Sequence, residues 1–397
     1  MDNHMRWFVV LAGAAVVFAQ PPAPLAPEVI QLAHIRARML NHLTHQPNYT
    51  CLETIERSQR AGAERKFERI DTVRLEVALV DGREMFGWPG ARKFEDTELR
   101  NIVPTGAIGN GNFALHARAI FDGNNAAFDY RGRDENGVRY DFRVPLFLSG
   151  YKIRSKASEA VVAYHGSFWA DPDSLDVVRL EVSADEIPPQ LKLSSATDRM
   201  DYAPAKIGGG EFLLPASSEL VMVDFSGAEK RNRVRFSGCR QFTGESTLVL
   251  DDAPESLAPA PLAEFDLPSD LGMRLTLLDD VDLKSAAIGD PIRARLENDL
   301  RHKGKLLVQR GATVLGRITR IDRLEETTEL GLEFSSIEAA GLRAHLKAKL
   351  LEVIGLEAFG VRNLRITHAK PKPGEGIISL SASRTRVLHG ILMYWRT

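Results

Sequence analysis

Cysteine is almost absent from this chain: 397 residues hold two, Cys51 and Cys239. No C-x-x-C, H-E-x-x-H or G-x-S-x-G occurs, so zinc hydrolysis and the nucleophile-elbow chemistries find no motif here. No charge of one sign dominates either. Lys and Arg number 51 against 53 Asp and Glu, a formal net charge of −2. General nucleic-acid binding draws most of its affinity from a basic excess, which this chain lacks. The local group Lys230, Arg231, Arg233 and Arg235 reads as a solvated turn and strand face. Long apolar runs are missing as well, apart from Trp7–Ala19, which is shorter than the ~20 residues that a bilayer-spanning helix needs. No integral membrane span is therefore expected in the mature chain.

That single run has the form of a signal peptide. Arg6 precedes it, Val17-Phe18-Ala19 closes it on a small residue, and Pro21-Pro22-Ala23-Pro24 follows. Cleavage is expected after Ala19, with residues 1–19 removed and the mature chain beginning at Gln20. No cysteine follows the cleavage point, so a lipid-anchored form is not indicated. The expected location is periplasmic or secreted. In such an oxidising compartment Cys51 and Cys239 make a natural disulfide, two buried free thiols being the competing reading.

A length of 397 suggests two or three domains, and 44% hydrophobic with 26% charged residues is ordinary for a chain that buries a core. From Pro27 to about Gln46 the apolar residues Leu32, Ile35, Met39 and Leu43 recur every three or four positions, which predicts a packing helix stopped by Pro47. Its His34, His42 and His45 fall at polar positions and are expected to face solvent; a metal pair at His42 and His45 has no further ligand to support it. Strand patterns then dominate: 74–79 turning at Asp81-Gly82 into 83–88, then 127–131, 138–144, 161–169, 177–182, 212–215, 218–223 and 233–242. A short helix is expected over 113–121. Pro254, Pro259 and Pro261 mark 251–268 as a semi-extended linker. Beyond it, alternation resumes over 274–278, 291–296, 305–308, 313–321, 330–334 and 342–353, with a closing strand between Ile377 and Trp395. The expected fold is mainly β (α+β). An antiparallel half-barrel with packing helices fills 20–250, and a small β-barrel or sandwich fills 269–397.

Several motif matches lack the context their chemistry needs. Gly109-Asn110-Gly111-Asn112-Phe113-Ala114 fits G-x-G-x-x-A, yet Pro104-Thr105-Gly106 stands where a hydrophobic strand should precede it. Ser149-Gly150-Tyr151-Lys152 fits S-x-x-K without any Lys-Thr-Gly or Ser-Asp-Asn partner. Asp279, Asp280 and Asp282 supply too few oxygens at the spacing of a calcium loop. No cofactor is expected.

The run Tyr164-His165-Gly166-Ser167-Phe168-Trp169-Ala170-Asp171-Pro172, followed by Leu175 and Val177-Val178-Arg179-Leu180, resembles the strand-turn-strand of exported proteins with the lipoprotein-carrier (LolA/LolB-like) fold. The opening helix, early hairpin and central helix match that architecture in order over roughly Pro27 to Leu250. The sequence is also similar to a wider group of exported proteins sharing Tyr49-Thr50-Cys51, Phe212-Leu213-Leu214-Pro215 and Cys239-Arg240. The second module resembles the β-barrel domain of conjugation and secretion-channel outer-membrane core proteins at Gly289-Asp290, 292–296, Leu306-Leu307-Val308, Gly311-Ala312, Gly316 and Gly341. It departs from that pattern at Val308-Gln309-Arg310-Gly311, where the turn proline is lost, and no antenna helix is visible.

Two functions follow as expectations. The first is a non-enzymatic binding or carrier protein for a lipid, an acyl chain, a lipidated protein or another hydrophobic segment. Its concave sheet would be lined by Leu75, Val77, Leu79, Trp88, Phe128, Tyr130, Phe142, Trp169 and Leu180. Packing of those side chains against the two helices is the competing account of them. The second is an envelope scaffold whose C-terminal domain docks a protein partner. A hydrolase is the weakest reading, because no nucleophile with a placed base can be named.

Overall fold

A computed structural model describes residues 24–90, 115–155, 158–242, 263–339, 341–354 and 371–397. The expected signal segment, the Gly109 loop and most of the expected linker lie outside the described residues.

Helix α1 (Pro27–His45) opens the chain, with proline in its first turn and Ile35, Met39 and Leu43 buried along one face. The expected strands near its end run as β1 (Tyr49–Arg60), β2 (Glu68–Val80) and β3 (Arg83–Gly87). Asp81 and Gly82 join the last two with φ of 50° and 77°, the two left-handed positions that suit a tight hairpin. Helix α2 (Leu115–Phe121) leads into β4 (Ala127–Asp134) and β5 (Gly137–Val144). A 3₁₀ turn at Leu146–Leu148 and a small hairpin, β6 (Lys152–Ser155) and β7 (Ser158–Val161), come next; Val161 belongs to that hairpin, so the strand expected over 161–169 is β8 (Ala163–Ala170). After it come β9 (Val177–Asp185), β10 (Leu193–Ile207), β11 (Gly210–Asp224) and β12 (Glu229–Gln241).

Ten of these form one antiparallel sheet in the order β3-β2-β1-β12-β11-β10-β9-β8-β5-β4, curled into a half-barrel. Two differences from the sequence reading have physical causes. Residues 212–215 and 218–223 are one strand, because Pro215 sits at a bulge: Asp201 pairs with Ser217 and Tyr202 with Pro215, leaving Ala216 unmatched. Pairing with β12 begins only at Ser217, so the missing amide of Pro215 costs no bond on that side. Strand β10 escapes the sequence reading because Asp198, Arg199 and Asp201 break its apolar alternation, and Pro204 argues against a ladder.

The side chains alternate between two faces with period two. One inner row crosses nine strands: Val73, Ile55, Val234, Ser218, Met200, Leu180, Phe168, Tyr140 and Tyr130 stand opposite one another in turn. All but Tyr130 are buried. Ile35, Met39 and Leu43 of α1 and Ala117, Ile120 and Phe121 of α2 pack on the half of this face formed by β5, β8, β9 and β10. A second cluster covers β1, β2 and β3.

The chain continues with β13 (Ala263–Asp266), inside the stretch read as linker, where it pairs in parallel with a later strand. Then follow β14 (Gly272–Leu277), β15 (Val281–Asp282), β16 (Pro291–Leu296), β17 (Leu300–His302), β18 (Lys305–Val308) and β19 (Thr313–Arg323). Residues 330–334 extend to β20 (Thr327–Ala339), and 342–353 divide into β21 (Leu342–His345) and β22 (Lys349–Ile354). The last strands are β23 (Glu375–Ser381), β24 (Arg386–Val387) and β25 (Leu392–Arg396). The main ladder runs β13-β21-β20-β19-β16-β14-β25-β22, and β23 pairs with the first half of β20. The ring draws together at Gly376, where a Cβ would come within 2.5 Å of both Leu350 on β22 and the fully buried Trp395. Trp395 meets Phe334 edge-on at 5.2 Å in the centre of this core.

Candidate functional site

The nine expected lining residues divide by strand parity. Leu75, Val77 and Leu79 point inward from β2 and are buried among Tyr49, Cys51, Ile55 and Phe86. Phe142 and Leu180 are buried in the other inner cluster, with Phe128 partly buried against it. Tyr130 occupies the same inner row at the sheet edge, 43% exposed, its ring 5.3 Å from that of Tyr140. Trp169 lies on the opposite face. Its neighbour Phe168 takes the inner position, so Trp169 points outward beneath the Arg139 guanidinium, with Nε1 donating to Asp134 at 2.9 Å. Trp88 follows β3 and lies where the two sheets meet, the Arg317 guanidinium 4.9 Å over its ring. Seven of the nine therefore share the inner face, in two apolar clusters rather than one.

Ionisable side chains stand among those clusters. His116 on α2 and Asp198 on β10 are both buried, with Nε2 3.8 Å from Oδ2, too far for a hydrogen bond. His116 Nε2 and Asp198 Oδ1 find no hydrogen-bonding partner in the protein. Burial lowers the His116 pKa to about 4 and raises that of Asp198 to about 7. The ring of Tyr151 meets His116 edge-on at 4.9 Å. On β1, Glu53 is buried between Leu75 and Phe236 in the ladder, and its Oε2 likewise lacks a partner. Desolvation raises its pKa to about 8. The buried pair Arg57–Asp71 differs: the guanidinium and carboxylate bind side by side, with Nε donating to Oδ1 at 2.6 Å.

None of His116, Asp198 and Glu53 stood out in the sequence. The available signal was an acidic residue at an inward position, as in Ala196-x-Asp198-x-Met200-x-Tyr202, which is legible only once the strand is known.

Polar tethers hold the helices against the sheet. Tyr140 donates through its hydroxyl to the Glu28 carbonyl at 2.8 Å, and Arg118 on α2 donates to the Leu43 carbonyl at 2.8 Å. Asp176, in the turn before β9, binds Arg38 through both oxygens at 2.5 and 3.0 Å. It also binds His42 Nε2 at 3.0 Å, so His42 is half-buried and engaged rather than solvent-facing as its position in the helix suggests. Among the described residues no group of His, Cys, Asp and Glu is placed to hold a metal ion.

Cys51 and Cys239 form a disulfide. It does not draw together the two edges of the half-barrel, which are β3 and β4. It joins neighbours in the middle of the sheet, at a bulge where Thr50 faces Arg240 and Leu52 faces Ser237. The sheet returns to its first long strand at β12, which is why the ends of the sequence domain lie side by side. Among the described residues no helix is long and apolar enough to cross a membrane.

No protein-family model matches the chain, and no curated protein matches it. Among solved structures it is similar to a DUF1329 family protein from Desulfovibrio piger, at 12% sequence identity and a TM-score of 0.28, over 56% of this chain and 96% of that one. A likeness at that score carries no argument about ligand or activity.

Proposed function

We propose that this chain is an extracytoplasmic binding or carrier protein, periplasmic or secreted, that holds an amphiphile without transforming it. The ligand class is a lipid, an acyl chain or the lipidated end of another protein, taken between the inner face of the half-barrel and the two helices laid on it. The observation that carries this reading is the pairing of apolar walls with buried, unpartnered polar atoms on His116, Asp198 and Glu53. Each such atom costs about 1–3 kcal/mol in a closed interior. A few fixed polar groups on an apolar wall are also how binding sites orient a ligand's head. The resemblance to lipoprotein carriers and the disulfide, which suits an oxidising compartment, point the same way. The test is a titration with the neutral fluorophore N-phenyl-1-naphthylamine. Saturable single-site enhancement, reversed by monooleoylglycerol, is expected; fluorescence no higher than with lysozyme sinks the reading.

A second reading, an envelope scaffold, draws on the barrel domain. Strand β22 ends its ladder and carries Leu351 and Ile354, which are 44% and 42% exposed. Under that reading an envelope protein co-purifies with the full chain, and Leu351→Asp releases it.

A further inference from the structure

The outer face of the half-barrel carries a groove of about 550 Å³ across β4, β5, β8 and β9, within the ~300–1,000 Å³ of small-ligand sites. One end of it is a closed network. Asp141 accepts from Arg131 Nε at 2.7 Å, Arg139 Nε at 3.1 Å and Ser167 Oγ at 2.7 Å, and these donors hold its pKa down against the effect of burial. The other end is not closed. His165 and Ser183 face each other across the β8–β9 ladder, and Arg143 faces His165 across β5–β8. His165 Nδ1 lies 2.8 Å from Asp185 Oδ2, which leaves Nε2 on the far side of the ring. Arg143 comes no nearer to Asp185 than 3.9 Å and is 73% exposed, and Glu181 reaches Arg199 only at 3.9 Å.

One loosely paired guanidinium, one loosely paired carboxylate, a hydroxyl and an imidazole thus share one concavity. The backbones of β5, β8 and β9 are engaged on both sides in the sheet, so recognition here falls to side chains rather than to a peptide ladder. Asp129, Asp141 and Glu181 disfavour a polyanion such as a nucleotide. What suits the set is a ligand with one isolated anionic group among many hydroxyls.

We propose that this groove binds a short acidic oligosaccharide, with a ring carboxylate on Arg143 and ring hydroxyls on Glu181, Ser183 and His165 Nε2. The site lies on the face opposite the proposed amphiphile chamber and stands independently of it.

Galactotriose oxidised to the carboxylate at C6 of its non-reducing ring, and so carrying a single negative charge, is the probe, with its neutral analogue galactotriose and inorganic phosphate as controls, titrated calorimetrically into the full disulfide-bonded chain. Single-site binding of the acid is expected, with weaker binding of galactotriose and none of phosphate. Arg143→Gln should lower affinity about tenfold, the loss of a charge-assisted hydrogen-bonded pair, and Glu181→Gln severalfold. Both side chains are exposed enough that an unchanged thermal midpoint is expected of the variants. No binding of the acid at millimolar concentration overturns the proposal. So does equal binding of galactotriose, equal binding of phosphate, or an Arg143→Gln variant that binds as the parent does.

Discussion

Ile288 and Val73 form a one-residue parallel bridge that fastens the barrel to the half-barrel. Strand β3 pairs with β2 only from Glu76 to Val80, which leaves the β2 edge open at residues 72–74. Ile288 fills that opening: its amide donates to Thr72 at 2.8 Å, and its carbonyl accepts from Arg74 at 2.8 Å. The Arg74 side chain then pairs with Asp290. An exposed edge is thereby capped from within the same chain.

Gly289 makes that approach achievable. Its φ is +101°, and a Cβ there would lie 2.3 Å from the Arg74 carbonyl and 2.7 Å from the Trp88 ring. Gly289→Ala is expected to cost about 2–4 kcal/mol through backbone strain and forced separation of the junction. A lower urea midpoint together with a larger radius of gyration in solution scattering is the expected outcome. An unchanged radius and midpoint would show that the junction does not organise the chain.

Reducing the Cys51–Cys239 disulfide reopens a loop with a sequence separation of 188. In the chain-entropy account this lowers stability by at most about 5 kcal/mol. Both cysteines lie on strands already paired in the ladder, so the reduced protein is expected to keep its far-ultraviolet circular dichroism while its urea midpoint falls. A midpoint indifferent to reductant contradicts this.

The His116–Asp198 pair predicts opposing pH dependences. Folded His116 takes its proton only near pH 4, whereas the unfolded imidazole takes it at 6.5, so its contribution to stability is lost as the pH falls through that window. Folded Asp198 keeps its proton to about pH 7, whereas the unfolded carboxyl loses it at 3.8, so its contribution is lost as the pH rises through that window. The two slopes, each roughly 1.4 kcal/mol per pH unit for one proton, oppose one another where they overlap. Relative to the parent, His116→Gln should therefore tilt the stability curve downward with rising pH, and Asp198→Asn should tilt it upward. Urea titrations between pH 4 and 7 give the curves; three parallel ones would refute the coupling.

The fold was legible wherever alternation was clean. Arg74 to Leu79 with the Asp81-Gly82 turn, the apolar stripe of α1 and the Cys51–Cys239 pairing all stand in the sequence as they stand in the structure. Strand β10 was hidden because its inward Asp198 reads as a surface residue, and β11 was divided because Pro215 reads as a stop when the bulge is unknown. The candidate site suffered from the same cause. Strand parity at Trp169 cannot be told from a run in which Phe168 and Trp169 are both large and aromatic, and the choice falls to the helices that cover Phe168. The junction at Ile288 was illegible because a one-residue bridge leaves no periodic trace.

The central claim is that the half-barrel carries an amphiphile, and native mass spectrometry of the full chain recovered from its own envelope fraction tests it most directly. The account predicts one bound amphiphile per chain, lost in organic solvent and replaced on incubation with monooleoylglycerol. A spectrum showing only the mass of the polypeptide, unchanged after that incubation, would contradict it.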